Sequence, residues 1–157
     1  MLRTAWSVLG RYGGADADDV VQEALVAALT TRALPHGDVG AWLRSITVRK
    51  ALDWLRQTGR RAEQSLPDPA ESGVELQAAG NPEAGLHVLT LRKGLAQLSA
   101  IDRAVLVLAD LEGHSMAEVA RTLGSTRVAV KLRASRARRK LARILGPDAI
   151  GKEEGSR

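Results

Sequence analysis

SMAEVARTLGSTRVAVKLRASRARRKLARIL, residues 115–145, decides how this chain is read. Ser115 is a capping residue for a helix over 116–123. Gly124 supplies the left-handed backbone that a sharp turn between helices needs. A second helix starts at about Ser125 or Thr126. Ala120, Gly124 and Val130 follow the spacing A-x3-G-x5-V. A small residue lets the two helices approach, the glycine turns the chain, and a branched apolar residue fills the angle between them. Such a helix-turn-helix can place its second helix in a DNA major groove. That helix carries Arg127, Lys131, Arg133, Arg136, Arg138, Arg139, Lys140 and Arg143 and no acid.

Charge is distributed unevenly along the chain. Residues 1–61 hold nine Lys/Arg against six Asp/Glu, residues 62–85 five acids and no base, and residues 86–145 twelve bases against four acids. Two basic modules thus flank an acidic connector, and a short tail, 146–157, follows. A basic module is the electrostatic footprint of a polyanionic partner. The chain has no cysteine, which removes disulfides and thiolate metal sites. No apolar run is long enough to span a bilayer. His36, His87 and His114 stand alone, without ligand or triad spacing. Neither a phosphate-binding loop nor a dinucleotide glycine fingerprint is present. An enzyme, a bound cofactor and a metal are therefore not expected.

Ala, Leu and Arg dominate and β-branched alternation is nearly absent, so the chain reads as all-α. The expected architecture is two small helical domains joined by a flexible acidic linker, 1–61, 62–85 and 86–145. Helices are expected over 1–9, 16–31, 39–58, 86–98, 101–111 and 116–123, besides the basic one. Asp16, Asp18 and Asp19 suit the positive end of the helix over 16–31, and Val20, Val21, Leu25, Ala28 and Leu29 trace its apolar face. Trp42, Leu43, Ile46, Leu52 and Leu55 are core candidates in the next helix, which Gly59 is expected to end. Pro67, Pro69 and Pro82 interrupt helix formation in the linker, where a short turn over 74–79 remains open. Leu95, Leu98, Val105, Leu106 and Leu108 are expected to form a small separate core with Val119, Leu123 and Val130.

At this point the chain resembles a family: bacterial RNA polymerase sigma factors of the extracytoplasmic-function (ECF) group. DADDVVQEALVAAL resembles the family's polymerase-binding helix, and GDVGAWLRSITVRKALDWLRQTGRR its promoter-melting segment. LAQLSAIDRAVLVLADLEGHSMAEVARTLG and VKLRASRARRKL resemble the module that reads the minus-thirty-five element. The two blocks stand in the family order.

The resemblance implies roles for particular residues. Asp16, Asp19, Gln22 and Glu23 would face the beta-prime clamp helices of core RNA polymerase, whose beta subunit is a further partner. His36, Gly37, Asp38, Arg44, Arg49, Lys50, Trp54 and Arg56 would serve the minus-ten strand, Trp54 by stacking or simply by packing. Arg127, Lys131, Ser135 and Arg136 would read bases of the minus-thirty-five duplex. Arg121, Arg133, Arg138 and Arg139 would hold phosphates. Thr126 belongs to the same set, as does Ser115, whose helix N-terminus can accept a phosphate. Arg60 and Arg61 would be general phosphate contacts. The chain would act as a monomer in the bacterial cytoplasm, off the membrane, with promoter DNA and an anti-sigma protein as partners. Alternatives are a helix-turn-helix regulator that binds DNA without melting it, and a decoy that occupies polymerase or an anti-sigma protein.

Four features depart from the family pattern. The first helix is short, phenylalanine is absent, and Arg49 stands where the family commonly has Asn. The loop before Trp42 is also shorter by about two residues. These departures imply weaker strand opening than in a typical relative.

Overall fold

The computed structural model describes residues 1–12, 15–31, 37–64 and 82–146. Those residues are helical, without strands. In chain order the helices are α1 (Leu2–Leu9), α2 (Ala15–Thr30), α3 (Val39–Gln64), α4 (Pro82–Ala96), α5 (Ala100–Leu106), α6 (Met116–Leu123) and α7 (Arg127–Leu145). A 3-10 turn, Gly10–Tyr12, follows α1, and a π-helical segment, Val107–Leu111, continues α5.

The first half packs α1, α2 and α3 against one another, and the second packs α4, α5 and α6 on α7. α2 buries a narrow stripe of Ala17, Val20, Ala24 and Ala28. Leu25 and Leu29, expected to face inward, are 41% and 86% exposed, and Val26 beside them is 61% exposed. The helix is apolar on several sides, and the small residues win the interior because they allow close approach to α3. Gly59 does not end α3, which continues to Gln64. One glycine costs a helix only about 1 kcal/mol, and the residues after it are good helix formers. α4 begins four residues before the expected start, with Pro82 as its first residue. Proline fits there because the first turn's N–H groups lack intrahelical partners anyway. Most of the acidic connector, including the turn considered over 74–79, lies outside the described residues.

The expected separate core of the second half is not what forms. Leu95, Leu98 and Leu106 cluster with Ala137 beneath α4. Val105, Leu108, Val119 and Val130 instead join Ala5, Val8, Leu9, Val20 and Val48 in a single cluster spanning both halves. The π segment contributes to this union. Its wider turn, closed by Glu112 N–H donating to the Val107 carbonyl at 2.9 Å, lets Val107 and Leu108 both be fully buried.

Polar contacts reinforce the join. Arg103, buried in α5, donates from Nε to the Val8 carbonyl (2.7 Å) and from a terminal nitrogen to the Leu98 carbonyl (3.0 Å). Val8 lies in the last turn of α1, where carbonyls lack helical partners and a cation is favoured. Gly10, at φ 65°, ends α1 with Arg103 directly against it; a Cβ there would lie 3.0 Å from the guanidinium carbon. Thr4 donates to Glu112 at 2.6 Å, and Arg92 sits 5.0 Å from the Trp6 ring centroid. Burial lowers the Arg92 pKa from its ordinary value.

Candidate nucleic-acid interface

The turn unit is built as its sequence dictates. Ser115 Oγ accepts from Glu118 N–H (3.3 Å), and the Glu118 carboxylate accepts from Ser115 N–H (2.8 Å) and from its hydroxyl (2.7 Å). Gly124, at φ 61° and ψ 39°, takes the left-handed conformation and closes α6. Thr126 caps α7, its hydroxyl accepting from Ala129 N–H at 3.2 Å. α7 buries Val130, Ala134 and Ala137 and leaves Leu132 49% exposed.

The Ser115 hydrogen bonds hold the Glu118 carboxyl below its ordinary pKa. A depressed carboxyl stabilises the fold above its unfolded pKa, and that stabilisation fades as pH falls through the lower folded value. Ser115→Ala should therefore destabilise the chain at neutral pH, with the deficit shrinking in acid; urea unfolding across pH checks both. The Glu118 carboxylate thus lies at the N-terminus of α6, beside the Ser115 that the resemblance assigns to a phosphate.

The α7 cations fall into two groups. Arg133 pairs with Asp102 at 2.8 Å. Arg138 grips Asp110 through two hydrogen bonds of 2.9 and 2.6 Å. Arg139 leans on the Ser135 carbonyl at 3.4 Å. Three of the residues assigned to phosphates are thus engaged within the protein, whereas Arg121 is exposed. Arg127, Lys131 and Arg136 are exposed and make no ion pair among the described residues. Arg127, Lys131 and Ser135 step by four and share one flank of α7; Arg136 lies about 100° further round, on the other side of the outward line through Val128, Leu132 and Arg139.

The candidates for the minus-ten strand do not form one surface. His36 lies outside the described residues. Asp38 caps α3, its carboxylate accepting from Ala41 N–H at 3.1 Å. Arg44, expected on a phosphate, turns toward the second half. Its Nε lies 2.8 Å from Glu112 Oε2, an ion pair not aligned as a hydrogen bond, with Asp38 at 3.6 Å on the other side. The Glu112 side chain is only 7% exposed, so desolvation strengthens this contact relative to a surface pair. Arg49 is exposed and lines a groove of about 450 Å³ with Gly37, Asp38 and Trp42 on one wall and His114, Glu118 and Arg121 on the other.

Lys50 and Arg56 lie elsewhere. Lys50 is 3.6 Å from Glu23, and Arg56 is 2.7 Å from Asp53. Trp54 is half-buried and meets Tyr12 edge to face, ring centroids 5.6 Å apart. The side chains of Arg60 and Arg61 lie outside the described residues.

On α2, Asp19, Gln22 and Glu23 are exposed together and border a hollow of about 680 Å³ with Val26, Ala27 and Thr30. Asp16 is half-buried; burial first, and then Asp19, raises its pKa. The exposed Leu25, Val26 and Leu29 adjoin this acidic face. The available signal was the run of alanines at 17, 24 and 28 in helical register with Val20. Among the described residues no group of His, Asp and Glu could hold a metal ion, and no helix is long and apolar enough to cross a membrane.

Two sequence families match this arrangement half by half. The Sigma-70 region 2 model covers residues 1–61 and the Sigma-70, region 4 model residues 89–141. The RNA polymerase sigma factor CnrH of Cupriavidus metallidurans is 36% identical over 149 residues, covering 85% of this chain and 75% of CnrH. The chain belongs to the ECF sigma-factor family. The ECF RNA polymerase sigma factor SigM of Mycobacterium tuberculosis is 33% identical over 136 residues, covering 83% of this chain. The match spans 65% of SigM's length. A co-crystal structure of the sigma factor RpoE with the anti-sigma factor NepR from Bartonella quintana is similar throughout. Its TM-score is 0.75 at 26% identity, with 94% of this chain and 90% of that one covered.

Proposed function

We propose that this chain is a transcription initiation factor that binds core RNA polymerase, directs it to promoters and assists strand opening. The observation that carries the reading is the α6–turn–α7 unit, with its unpaired cations facing outward, joined in family order to a region 2 half. The work is binding and strand separation, without bond making, and it takes place in the cytoplasm. α7 reads the minus-thirty-five duplex through Arg127, Lys131, Ser135 and Arg136, while Thr126, Arg121 and α7's remaining arginines track phosphates. Arg49, Lys50 and Arg56 serve the minus-ten strand, and Arg44 joins them once Glu112 releases it. The acidic connector lies along the path of nucleic acid in the polymerase. An anti-sigma protein regulates the factor, as the RpoE–NepR pairing suggests.

The exposed face of α2 is the polymerase contact. Asp19, Gln22 and Glu23 supply charge to a basic partner surface, and Val26 and Leu29 supply apolar area beside it. Asp19→Lys with Glu23→Lys should weaken polymerase association at least about tenfold while leaving helicity unchanged by circular dichroism. Unchanged retention of core polymerase would refute the assignment.

Run-off transcription with core polymerase over promoter fragments of the host genome tests the function as a whole. Transcripts dependent on this chain support it. DNA binding without transcripts favours the regulator, and polymerase binding without either favours the decoy. Permanganate reactivity of unpaired thymines should be lower on closed duplex than on a pre-melted bubble, because Arg49 can grip a phosphate but lacks the donor–acceptor pair of an amide.

A further inference from the structure

The outward face of α7 carries two apolar side chains that its interior does not use. Val128 is 77% exposed and Leu132 49%. They stand four residues apart, one helical turn, on the side opposite buried Val130, Ala134 and Ala137. Scattered exposed apolar residues are ordinary. These two lie in the N-terminal half of the second helix of a helix-turn-helix, the part that meets base edges. Arg127, Lys131, Ser135 and Arg136 surround them, all exposed, on a helix with no acid. A protein partner for such a face would have to be a polyanion with apolar spots. The major groove presents that combination directly: phosphates along its rims, guanine N7 and O6 on its floor, and thymine C5-methyl groups between them.

We propose that Val128 and Leu132 are specificity-determining residues that contact thymine methyl groups in the duplex promoter element, beside guanines engaged by Arg127 and Lys131. The inference rests on α7 being the duplex-reading helix. It adds a second chemical language to that helix. Cations distinguish guanine by hydrogen bonds, and branched side chains distinguish thymine from cytosine by burying one methyl group. Serine or alanine at 128 and 132 would leave the cationic grip intact and that discrimination absent.

The full-length chain suits the test, because α7's outward face is exposed even with the two halves packed together. Duplexes selected from a randomised library are resynthesised with deoxyuridine in place of each enriched thymine, which removes only the methyl group. Binding is read by fluorescence anisotropy at fixed salt. One or two of these replacements should weaken binding roughly fourfold each. Leu132→Ser and Val128→Ser should abolish the thymine–uracil difference at one position each, whereas Lys131→Ala should retain it. Thermal unfolding of the variants confirms that they fold. Sequence enrichment without any thymine–uracil difference overturns this inference and leaves α7 as the reading helix. A difference that survives both serine variants also overturns it. Absence of any sequence enrichment overturns both.

Discussion

Arg103→Met should destabilise the chain by about 2–6 kcal/mol, about 1–3 kcal/mol for each of two buried acceptors left without a donor. Its guanidinium donates to the carbonyl that ends α1 and to the Leu98 carbonyl before α5. Methionine fills much of the same volume but leaves both acceptors buried without a donor, and each such loss carries the full desolvation cost of the orphaned group. Arg103→Lys should rescue only partly, because one ammonium cannot hold the fork geometry that reaches two carbonyls. A fall in Tm of about 4–24 °C follows for a chain of this size. The result bears on more than stability. Arg103 belongs to the second half and Val8 to the first, so a Tm within about 2 °C of the parent would show that the halves do not rest against each other in solution. Arg44 would then be free of Glu112 and open to DNA without any prior separation.

The helix-turn-helix was legible because each of its parts is local. A capping serine, a left-handed glycine and a spaced valine act within a few residues of one another, and the structure places all three as read. The fold class followed from composition for the same reason. What escaped the sequence was the choice among several sufficient options. α2 offers apolar residues on more than one side, and only the partner helix decides that alanines go inward while Leu29 stays outside. The shared core was equally hidden. Val105 and Leu108 satisfy an inward pattern whether they meet their own half or the other, and the π segment that presents Val107 and Leu108 together has no sequence signature. Nothing local marks Arg103 and Glu112 as buried, since their partners lie 95 and 108 residues away in the chain. The candidate site divided along the same line. Arg127, Lys131 and Arg136 needed only helical periodicity to be placed outside, whereas the pairing of Arg133 with Asp102, Arg138 with Asp110 and Arg44 with Glu112 depends on tertiary neighbours.

That division of the α7 cations yields the second large effect. Arg127→Glu, Lys131→Glu and Arg136→Glu together should lower duplex affinity at least about 100-fold, because each base-reading pair contributes about 1–3 kcal/mol. The reversed charges also repel the backbone, so the slope of log K against log salt should shrink by about three. Folding should be unaffected, since none of the three makes an ion pair among the described residues. Arg138→Ala provides the contrast. Its pair with Asp110 is partly exposed, and such a pair contributes at most about 1 kcal/mol after solvent screening. Breaking it should weaken binding to all duplexes alike and shift the salt slope by about one, as for a phosphate contact. Single changes then separate the roles: Lys131→Ala should relax preference at one base pair, whereas Arg138→Ala should not. A uniform loss for Lys131→Ala, or a base-specific one for Arg138→Ala, would reverse the assignment of reading and gripping residues on this helix.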